Sequence, residues 1–248
     1  MSNDVLIALP TYDEAENVEP MIRELRACDA KTHILVVDDD SPDGTGRIAD
    51  RLASEIPGVA VVHRARKSGL GSAHQRAMDL AVERGYRVLV TMDVDFTHRP
   101  EDVARLVSAL DEGGLDLAVG SRYLKHGIDS WPLWRRAVSR TAHLATRLCL
   151  GIRHDATNAF RAFRVDALRR VAYRDVKGDG YSFMFELVFA CTRAGLAIGE
   201  VPVDMPFRRA GESKISRREV AKALVALFRL TLTRLSPGRR PRPVTEAS

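Results

Sequence analysis

The first half of the 248-residue chain alternates between short apolar runs and longer segments whose apolar residues have helical spacing. Runs rich in Val, Ile and Leu predict five β-strands, at Val5–Leu9, His33–Val37, Val59–His63, Arg87–Met92 and Asp116–Val119. Helical spacing predicts four α-helices between them, at Val18–Ala27, Thr45–Ile56, Leu70–Arg84 and Pro100–Glu112. Strands that alternate with helices favour an α/β fold, in which a mainly parallel sheet is covered by helices on both faces.

Single residues predict where two of these helices begin or end. Pro20 fits the first turn of a helix that is capped by Asn17, because proline lacks only an amide that would be unbonded there. Gly85 fits the C-terminus of the third helix, because glycine readily adopts the left-handed conformation that ends many helices.

The second half of the chain is less regular. Its pattern predicts helices at Trp134–Leu150, Tyr181–Ala194 and Arg217–Leu235, a strand at Phe160–Arg164 and an extended segment at Gly199–Phe207. The last of these helices is amphipathic, with basic residues beside its apolar stripe. Residues 236–248 are rich in Pro and Arg and predict a disordered tail. We therefore divide the chain into a main domain (1–215), the amphipathic helix (216–235) and the tail (236–248).

The composition is that of a soluble globular protein, with 45% hydrophobic and 29% charged residues. The three cysteines, Cys28, Cys149 and Cys191, form no CxxC pair, which favours reduced thiols in a cytosolic protein. The N-terminus lacks the pattern of a signal peptide, and no apolar run reaches the roughly 18 residues of a transmembrane helix. We therefore expect a cytoplasmic protein.

Positive charge is concentrated near the C-terminus of a chain whose net charge is +5. Residues 205–242 contain eleven Lys or Arg residues against two Glu residues. Such a concentration suggests a partner that is a nucleic acid, a phosphate or an anionic membrane. A basic surface with no partner fits the charge count equally well.

Polar motifs follow four of the predicted strands. They are PTYDE (10–14), DDDSPDGT (38–45), DVD (93–95) and GSRY (120–123). Since ligands of parallel α/β sheets bind beyond the carboxyl ends of the strands, we expect these motifs to converge on one rim.

Asp93 and Asp95 are the strongest candidates for a metal site. Hard divalent cations such as Mg²⁺ and Mn²⁺ prefer carboxylate oxygens and often share them with substrate phosphates. The alternative is a cluster that caps the next helix. Thr97 or His98 fits that role more simply, which leaves the two aspartates unexplained.

The other motifs suggest a nucleotide and phosphate groups. The segment 38–45 fits a turn, but its crowded carboxylates make more sense if one of them accepts hydrogen bonds from a nucleobase or ribose. Arginine side chains suit phosphate oxygens, and the alternative for those of the predicted helix is an exposed basic face. The candidate phosphate ligands are Arg122, Arg135, Arg136, Arg140, Ser139, Arg208 and Lys214. The amides of KSGLGSA (67–73) either face a phosphate or base or simply begin a helix.

Taken together, these segments resemble the family-2 glycosyltransferases, and among them the dolichyl- or polyprenyl-phosphate mannose synthases. LPTYDEAEN resembles the family's LPTYNExEN, VVDDDSPDGT resembles VDDxSPDGT, GLGSA resembles GLGTA, and MDVDFTHRPE resembles MDADxxHxPE. WPLWRRAVSR follows GSRY as W-x-x-x-R-x-x-x-S-R does, and AFRAFR resembles SGFRxxx. GYSFMFEL and EVPVDMPFRRAGESK resemble GYxFxxEL and EVPIxFxxRxxGxSK, which are more particular to the polyprenyl-phosphate group.

The resemblance implies a GT-A, Rossmann-like αβα sandwich with a role for each matching residue. The residues implied to bind the nucleotide-sugar donor are Pro10, Tyr12, Glu14, Val36, Asp38, Met92, Asp93, Val94, Asp95, Arg122, Arg208 and Lys214. Asp93, Asp95 and Thr97 would bind Mg²⁺ or Mn²⁺. Arg122, Arg135, Ser139 and Arg140 would bind the acceptor phosphate, and the catalytic set would be Asp93, Asp95, Arg122 and Arg208.

The implied reaction moves mannose from GDP-mannose to a polyprenyl monophosphate with inversion at the anomeric carbon. The implied partners are the donor and the lipid acceptor, together with either the cytoplasmic face of a membrane, bound peripherally, or a separate membrane subunit. Departures from the family pattern at Asp13, Asp40, Val94, His143 and TNAFR (157–161) bear on the donor base, the sugar or the acceptor.

Three other functions fit part of the pattern. The first is transfer of glucose or another sugar from a UDP or GDP donor to the same lipid or to a small molecule. The second is nucleotidyl transfer, which would need a Gly- and Arg-rich loop where PTYDEAEN stands. The third is nucleic-acid binding, which would leave the acidic strand ends without a role, so we expect no nucleic acid partner.

Overall fold

The computed structural model describes residues 4–124, 127–128, 131–206 and 217–235. The strands are β1 (Val5–Thr11), β2 (His33–Asp38), β3 (Val59–His63), β4 (Val88–Thr91), β5 (Leu117–Ser121), β6 (Arg161–Arg164) and β7 (Ile198–Pro202). The α-helices are α1 (Ala15–Cys28), α2 (Thr45–Glu55), α3 (Leu70–Glu83), α4 (Asp102–Glu112), α5 (Leu133–Ala145), α6 (Val165–Leu168), α7 (Tyr181–Arg193) and α8 (Arg217–Leu235). A π-helical segment (Thr146–Leu150) continues α5.

The seven strands form one sheet in the order β3-β2-β1-β4-β6-β5-β7. β6 is antiparallel to both β4 and β5, and the other neighbouring pairs are parallel. The mainly parallel α/β sheet predicted from the sequence is therefore confirmed. The carboxyl ends of β1, β2, β4 and β5 lie at the same edge, as the alternation of strands and helices requires.

Each face of the sheet packs against its own group of helices. α1, α2 and α4 supply residues such as Met21, Leu52 and Leu106 to the core on one face. α3, α6 and α7 supply residues such as Met78, Leu168 and Leu187 to the core on the other face. A smaller cluster around Phe189 joins α7 to α8 and to the π-helical segment. This arrangement leaves the strand-end edge of the sheet available for a site.

The start of α1 differs from the prediction. The helix begins at Ala15, so Asn17 lies inside it and Pro20 lies in its second turn. The reason is tertiary, because Asp43 from the segment before α2 accepts a hydrogen bond from the Ala15 amide at 2.9 Å. A cap from a distant segment replaces the local cap that the sequence suggested. The prediction for Gly85 is confirmed, since it follows the end of α3 with φ of +67°.

Helix α8 is apolar on both sides. Ala226 is buried, and Ala223, Leu227 and Leu230 pack against the cluster that joins α8 to α7. On the other side, Val220, Leu224, Val225, Phe228, Leu232 and Leu235 are exposed. Core packing and an exposed apolar face therefore occur together on this helix. In the part of the chain that the structure describes, no helix has the length and apolar character that crossing a bilayer requires.

Candidate active site

A cavity of about 420 Å³ opens at the edge of the sheet where the parallel strands end. Its wall contains residues from or after β1, β2, β4 and β5, among them Tyr12, Asp39, Asp95 and Arg122. The prediction that four polar strand ends converge on one rim is therefore confirmed. Nine of the predicted site residues line this cavity, and they are Pro10, Tyr12, Glu14, Asp93, Val94, Asp95, Thr97, Arg122 and Arg135.

Asp93 and Asp95 lie in the turn that follows β4. The side chain of Asp93 is 40% exposed, whereas Asp95 is buried. Oδ1 of Asp95 accepts hydrogen bonds from the amide and the hydroxyl of Thr97, at 3.0 and 2.6 Å. These bonds fix the rotamer of Asp95 and place the hydroxyl of Thr97 beside its carboxylate.

The donor set of this turn fits a divalent cation that is shared with a diphosphate. It offers two carboxylates and one hydroxyl, and such hard oxygen ligands are those that Mg²⁺ and Mn²⁺ prefer. Among the described residues, no group of three or more His, Cys, Asp or Glu side chains is placed to hold an ion by itself. Mg²⁺ in particular is usually held by one or two carboxylates together with substrate phosphates, so the small protein ligand set suits that mode.

Asp39, and not the predicted Asp38, faces the cavity after β2. Asp38 is buried, and its carboxylate accepts a 2.5 Å hydrogen bond from the hydroxyl of Ser41 and a weaker one from Thr11. β2 ends at Asp38, so Asp39 lies in the segment that follows the strand, at the rim where the cavity opens. Asp39 therefore joins the candidate donor ligands, and the role of Asp38 in donor binding stays a prediction.

Two further predicted donor ligands lie within the core. The side chains of Val36 and Met92 are fully buried in the cluster beneath α1 and α4. Neither residue is part of the cavity wall. Their assignment to the donor site stays a prediction.

The amides at the start of α3 bond to carboxylates of the protein. Asp39 accepts hydrogen bonds from the amides of Ser68, at 2.9 Å, and Gly69, at 3.0 Å. Oδ1 of Asp179 accepts a hydrogen bond from the amide of Gly71 at 3.2 Å. KSGLGSA therefore begins a helix that is capped by two acidic side chains, and the alternative that its amides bind a phosphate is not the observed arrangement.

Tyr12 and Lys67 form one side of the cavity. The ammonium group of Lys67 lies 3.4 Å from the centre of the Tyr12 ring, which is the geometry of a cation–π contact. Asp39 lines the cavity with them, so a flat ring, a cation and a carboxylate lie on one wall. This combination can stack with a nucleobase and accept hydrogen bonds from its edge or from a ribose.

Arg122 forms a buried ion pair with Asp155. Its Nε and Nη2 atoms each lie 2.9 Å from a carboxylate oxygen of Asp155, and Nη2 also donates to the hydroxyl of Thr157. Burial alone would raise the pKa of Asp155, but the charge and hydrogen bonds of Arg122 outweigh it and hold that pKa below its usual value. A phosphate bound at Arg122 would therefore share the guanidinium with a permanent carboxylate.

The remaining predicted acceptor ligands lie on α5. Arg135 lines the cavity, and its guanidinium lies 4.2 Å from the centre of the Trp131 ring. Ser139 and Arg140 do not line the cavity. The hydroxyl of Ser139 is 2.7 Å from the hydroxyl of Tyr123, and Arg140 is exposed. In this conformation the structure therefore assigns Arg135, but not Ser139 or Arg140, to the cavity wall.

Two of the predicted donor ligands, Arg208 and Lys214, lie outside the described residues. The charged residues among the described part of the lining are six acidic ones against three basic ones. The acidic residues are Glu14, Asp39, Asp93, Asp95, Asp179 and Glu219, and the basic ones are Lys67, Arg122 and Arg135. A diphosphate and a second phosphate can bind beside so many carboxylates only if further positive charge is supplied.

Several residues of the site escaped the sequence reasoning. Asp39 stands in a motif that was recognised, but it was not named among the donor ligands. Asp155 and Asp179 lie in irregular segments, and each meets its partner across more than 30 residues of chain. No local pattern marks them. Counting the basic residues near the strand ends would have indicated that these residues need acidic partners, but not which acidic residues those are.

Comparison with known proteins agrees with this geometry. Residues 6–172 match the sequence model of the family described as glycosyl transferase family 2. The chain is 42% identical over 223 residues to the polyprenol monophosphomannose synthase of Mycolicibacterium smegmatis, with 88% of this chain and 83% of that protein covered. It is 40% identical over 240 residues to the undecaprenyl-phosphate mannosyltransferase of Micrococcus luteus, with 96% of this chain and 98% of that protein covered.

The fold is also found among solved glycosyltransferase structures. The mannosyltransferase PcManGT from Pyrobaculum calidifontis, solved in complex with GDP-Man and Mn²⁺, superposes with a TM-score of 0.62 at 21% identity. The match covers 96% of this chain and 66% of that chain. It confirms the predicted GT-A fold. From the family match and these identities, the chain belongs to glycosyl transferase family 2 and is a glycosyltransferase.

Proposed function

We propose that this protein transfers mannose from GDP-mannose to a polyprenyl monophosphate with inversion, using Mg²⁺ or Mn²⁺. The observation that carries the proposal is the position of Asp93 and Asp95, which share a cavity with the Asp39, Tyr12 and Lys67 wall. Both relatives described above are named for mannosyl transfer to a polyprenyl phosphate, and the structural neighbour holds GDP-Man with Mn²⁺.

The cavity residues divide into two groups by the part of the donor that they would contact. Asp39, Tyr12 and Lys67 suit the nucleoside, while Asp93 and Asp95 would hold the ion beside the donor diphosphate. The bound ion would compensate the charge that the diphosphate gains as the glycosidic bond breaks. The carboxylates need the ion for this purpose, because alone they repel a diphosphate.

The acceptor phosphate would approach along the wall that contains Arg135 and Trp131. A phosphate monoester is already an anion at neutral pH, so its oxygen can attack without a strong general base. The requirement is then to hold this anion close to the anomeric carbon, which Arg135 and the shared guanidinium of Arg122 can do. Direct displacement from that side inverts the anomeric centre.

The proposal is tested by incubating the protein with labelled GDP-mannose, polyprenyl phosphate and Mn²⁺, and then extracting the lipid phase. We expect label in the lipid with the wild type and its loss in Asp93→Asn. Asp166→Asn is the matched control, because that side chain is fully exposed and outside the cavity. Label that enters the lipid from UDP-glucose but not from GDP-mannose would favour the alternative donor. Full turnover by Asp93→Asn in saturating metal would refute the metal role.

We also infer that the protein acts at an anionic membrane surface on the cytoplasmic side. Eleven large apolar side chains are exposed on two elements that contact each other, α8 and the helix of α5 with its π-helical continuation. They are Leu133, Trp134, Val138, Leu144, Leu148, Val220, Leu224, Val225, Phe228, Leu232 and Leu235. Arg135, Arg140 and Arg234 lie on the same elements, and apolar and cationic groups together suit a lipid interface.

Liposome flotation tests this inference. We expect wild-type protein to float with vesicles that contain anionic lipid and to float less with neutral ones. Leu224→Asp with Phe228→Asp should reduce flotation, whereas the same change at a charged surface position, Arg170→Asp, should not. If the double variant floats as well as the wild type, membrane docking by this face is contradicted. A separate membrane subunit would then be the partner that covers the face.

A further inference from the structure

His98 ends the turn that carries Asp93 and Asp95, and the proposed reaction does not itself use this residue. Its imidazole is 2% exposed and stacks on the ring of Phe160, with centroids 4.9 Å apart and planes 13° apart. Its Nδ1 atom accepts a hydrogen bond of 2.8 Å from the backbone amide of Asp93. The imidazole therefore closes the turn by holding the backbone of its first carboxylate residue.

The hydrogen bond from the Asp93 amide to His98 continues the series of backbone hydrogen bonds that the sheet provides as far as Met92. The amide of Met92 still bonds to the carbonyl of Ala8, at 3.3 Å, but β4 itself ends at Thr91. The amide of Asp93 is the next donor along the chain, and its acceptor comes from a side chain five residues later. The direction in which Asp93 leaves the sheet thus depends on where His98 is held.

The turn contains a strained residue that needs such closure. Phe96 has φ of +64° and is buried in the core. A residue with a Cβ atom rarely adopts this backbone conformation, and it keeps that conformation only where the surroundings enforce it. Here the Asp95–Thr97 bonds act from within the turn, and the His98 bond acts between its ends.

The same ring also faces the carboxylate of Asp93. Because Nδ1 accepts the amide hydrogen, the ring proton of neutral His98 lies on Nε2. Nε2 is 3.9 Å from Oδ2 of Asp93. The imidazole therefore lies against both the backbone and the side chain of this residue.

We propose that His98 is a positioning residue, which sets where Asp93 presents its carboxylate relative to Asp95 for a divalent cation. This inference rests on the proposed function, in which the two carboxylates hold the metal beside a nucleoside diphosphate. Partners that orient metal ligands typically change metal affinity about tenfold to a hundredfold when they are removed. The effect of losing the His98 bond should therefore appear in metal binding as well as in turnover.

Two substitutions separate the hydrogen bond from the packing. His98→Phe keeps an aromatic ring to stack on Phe160 but has no acceptor for the Asp93 amide. His98→Asn loses the ring, but its side-chain oxygen can occupy the position of Nδ1 and accept the same bond. His74→Phe is the matched control, because His74 is 1% exposed and its ring stacks on that of Phe183, with centroids 5.7 Å apart, but His74 does not line the cavity.

The measurement is a Mn²⁺ titration in the presence of GDP, followed by electron paramagnetic resonance of the free ion. We expect His98→Phe to weaken Mn²⁺ binding about tenfold to a hundredfold, His98→Asn to restore most of it, and His74→Phe to match the wild type. If His98 matters only for packing, the order of the two His98 variants reverses. Binding by His98→Phe equal to that of the wild type would also overturn the inference.

Two further outcomes have a defined meaning. If the wild type itself binds no Mn²⁺ with GDP, the proposed metal function fails, and not the role of His98 alone. If thermal melts show that His98→Phe does not fold, the comparison moves to His98→Asn and His98→Gln. Gln places its amide at the position of Nε2, so it should bind Mn²⁺ more weakly than Asn, and equal binding would contradict the proposal.

Discussion

Replacing Asp155 by Asn should be among the most destabilising single changes near the cavity. Asp155 is fully buried and receives two side-chain hydrogen bonds of 2.9 Å from Arg122, whose side chain is 8% exposed. A hydrogen bond to a charged group contributes about 1.5–3 kcal/mol, and removing one partner of a buried ion pair costs about 3–5 kcal/mol. The substitution keeps the shape of the side chain but leaves the guanidinium buried without a counter-charge.

We therefore expect Asp155→Asn to lower the free energy of unfolding by about 3–5 kcal/mol. In a chain of this size that corresponds to a fall in Tm of about 6–20 °C. Urea denaturation gives the free energy and thermal melts give Tm. Asp166→Asn is the control, since its exposed side chain should change the free energy by less than about 0.5 kcal/mol.

The pH dependence gives a second test of the same ion pair. Arg122 holds the pKa of Asp155 below its usual 3.8, against the opposing effect of burial. Below pH 3.8 the unfolded chain binds a proton at this residue more readily than the folded chain does, so its contribution to stability is lost as the pH falls. Asp155→Asn should weaken this acid-induced loss. A cost below 1 kcal/mol, or an unchanged acid profile, would refute the reasoning.

Three other substitutions test buried charge. Arg161→Met should raise the free energy of unfolding by about 1–4 kcal/mol. The reason is that Nε and Nη1 of this fully buried side chain lack hydrogen-bond partners among the described residues. A lower Tm of the variant would contradict this prediction. Burial lowers the pKa of His74 from 6.5 to about 3, so stability should fall as the pH drops from 6.5 towards 3, and His74→Phe should flatten that loss in urea titrations. Arg229→Ala removes the 2.6 Å partner of buried Glu186 and should make α8 more sensitive to limited proteolysis, whereas Arg193→Ala should not.

The prediction from sequence was accurate where the signal is local and repetitive. The five strands of the first half lie within one or two residues of their predicted bounds, and four of them are internal strands, which must be apolar along their length. The position of DVD directly after such a strand was also correct, and with it the edge of the sheet at which the cavity opens.

Prediction from sequence was less accurate where a contact joins distant segments. The start of α1 depends on Asp43, and the place of Asp39 in the cavity wall depends on how the chain turns after β2. α5 was predicted to carry three acceptor ligands, but only Arg135 reaches the cavity wall. Spacing along the chain indicates which residues share a helix, but it does not indicate how that helix lies against the sheet.

The sequence by itself determined the α/β class, the rim at which ligands bind and the residue types available there. These follow from local periodicity and from the rule that strand ends of a parallel sheet face one edge. Only the tertiary structure decided which charges are balanced within the protein, as Arg122 is by Asp155, and which carboxylates face the cavity. The physical reason is that Coulomb and hydrogen-bond energies depend on distance and burial in space, which separation along the chain does not specify.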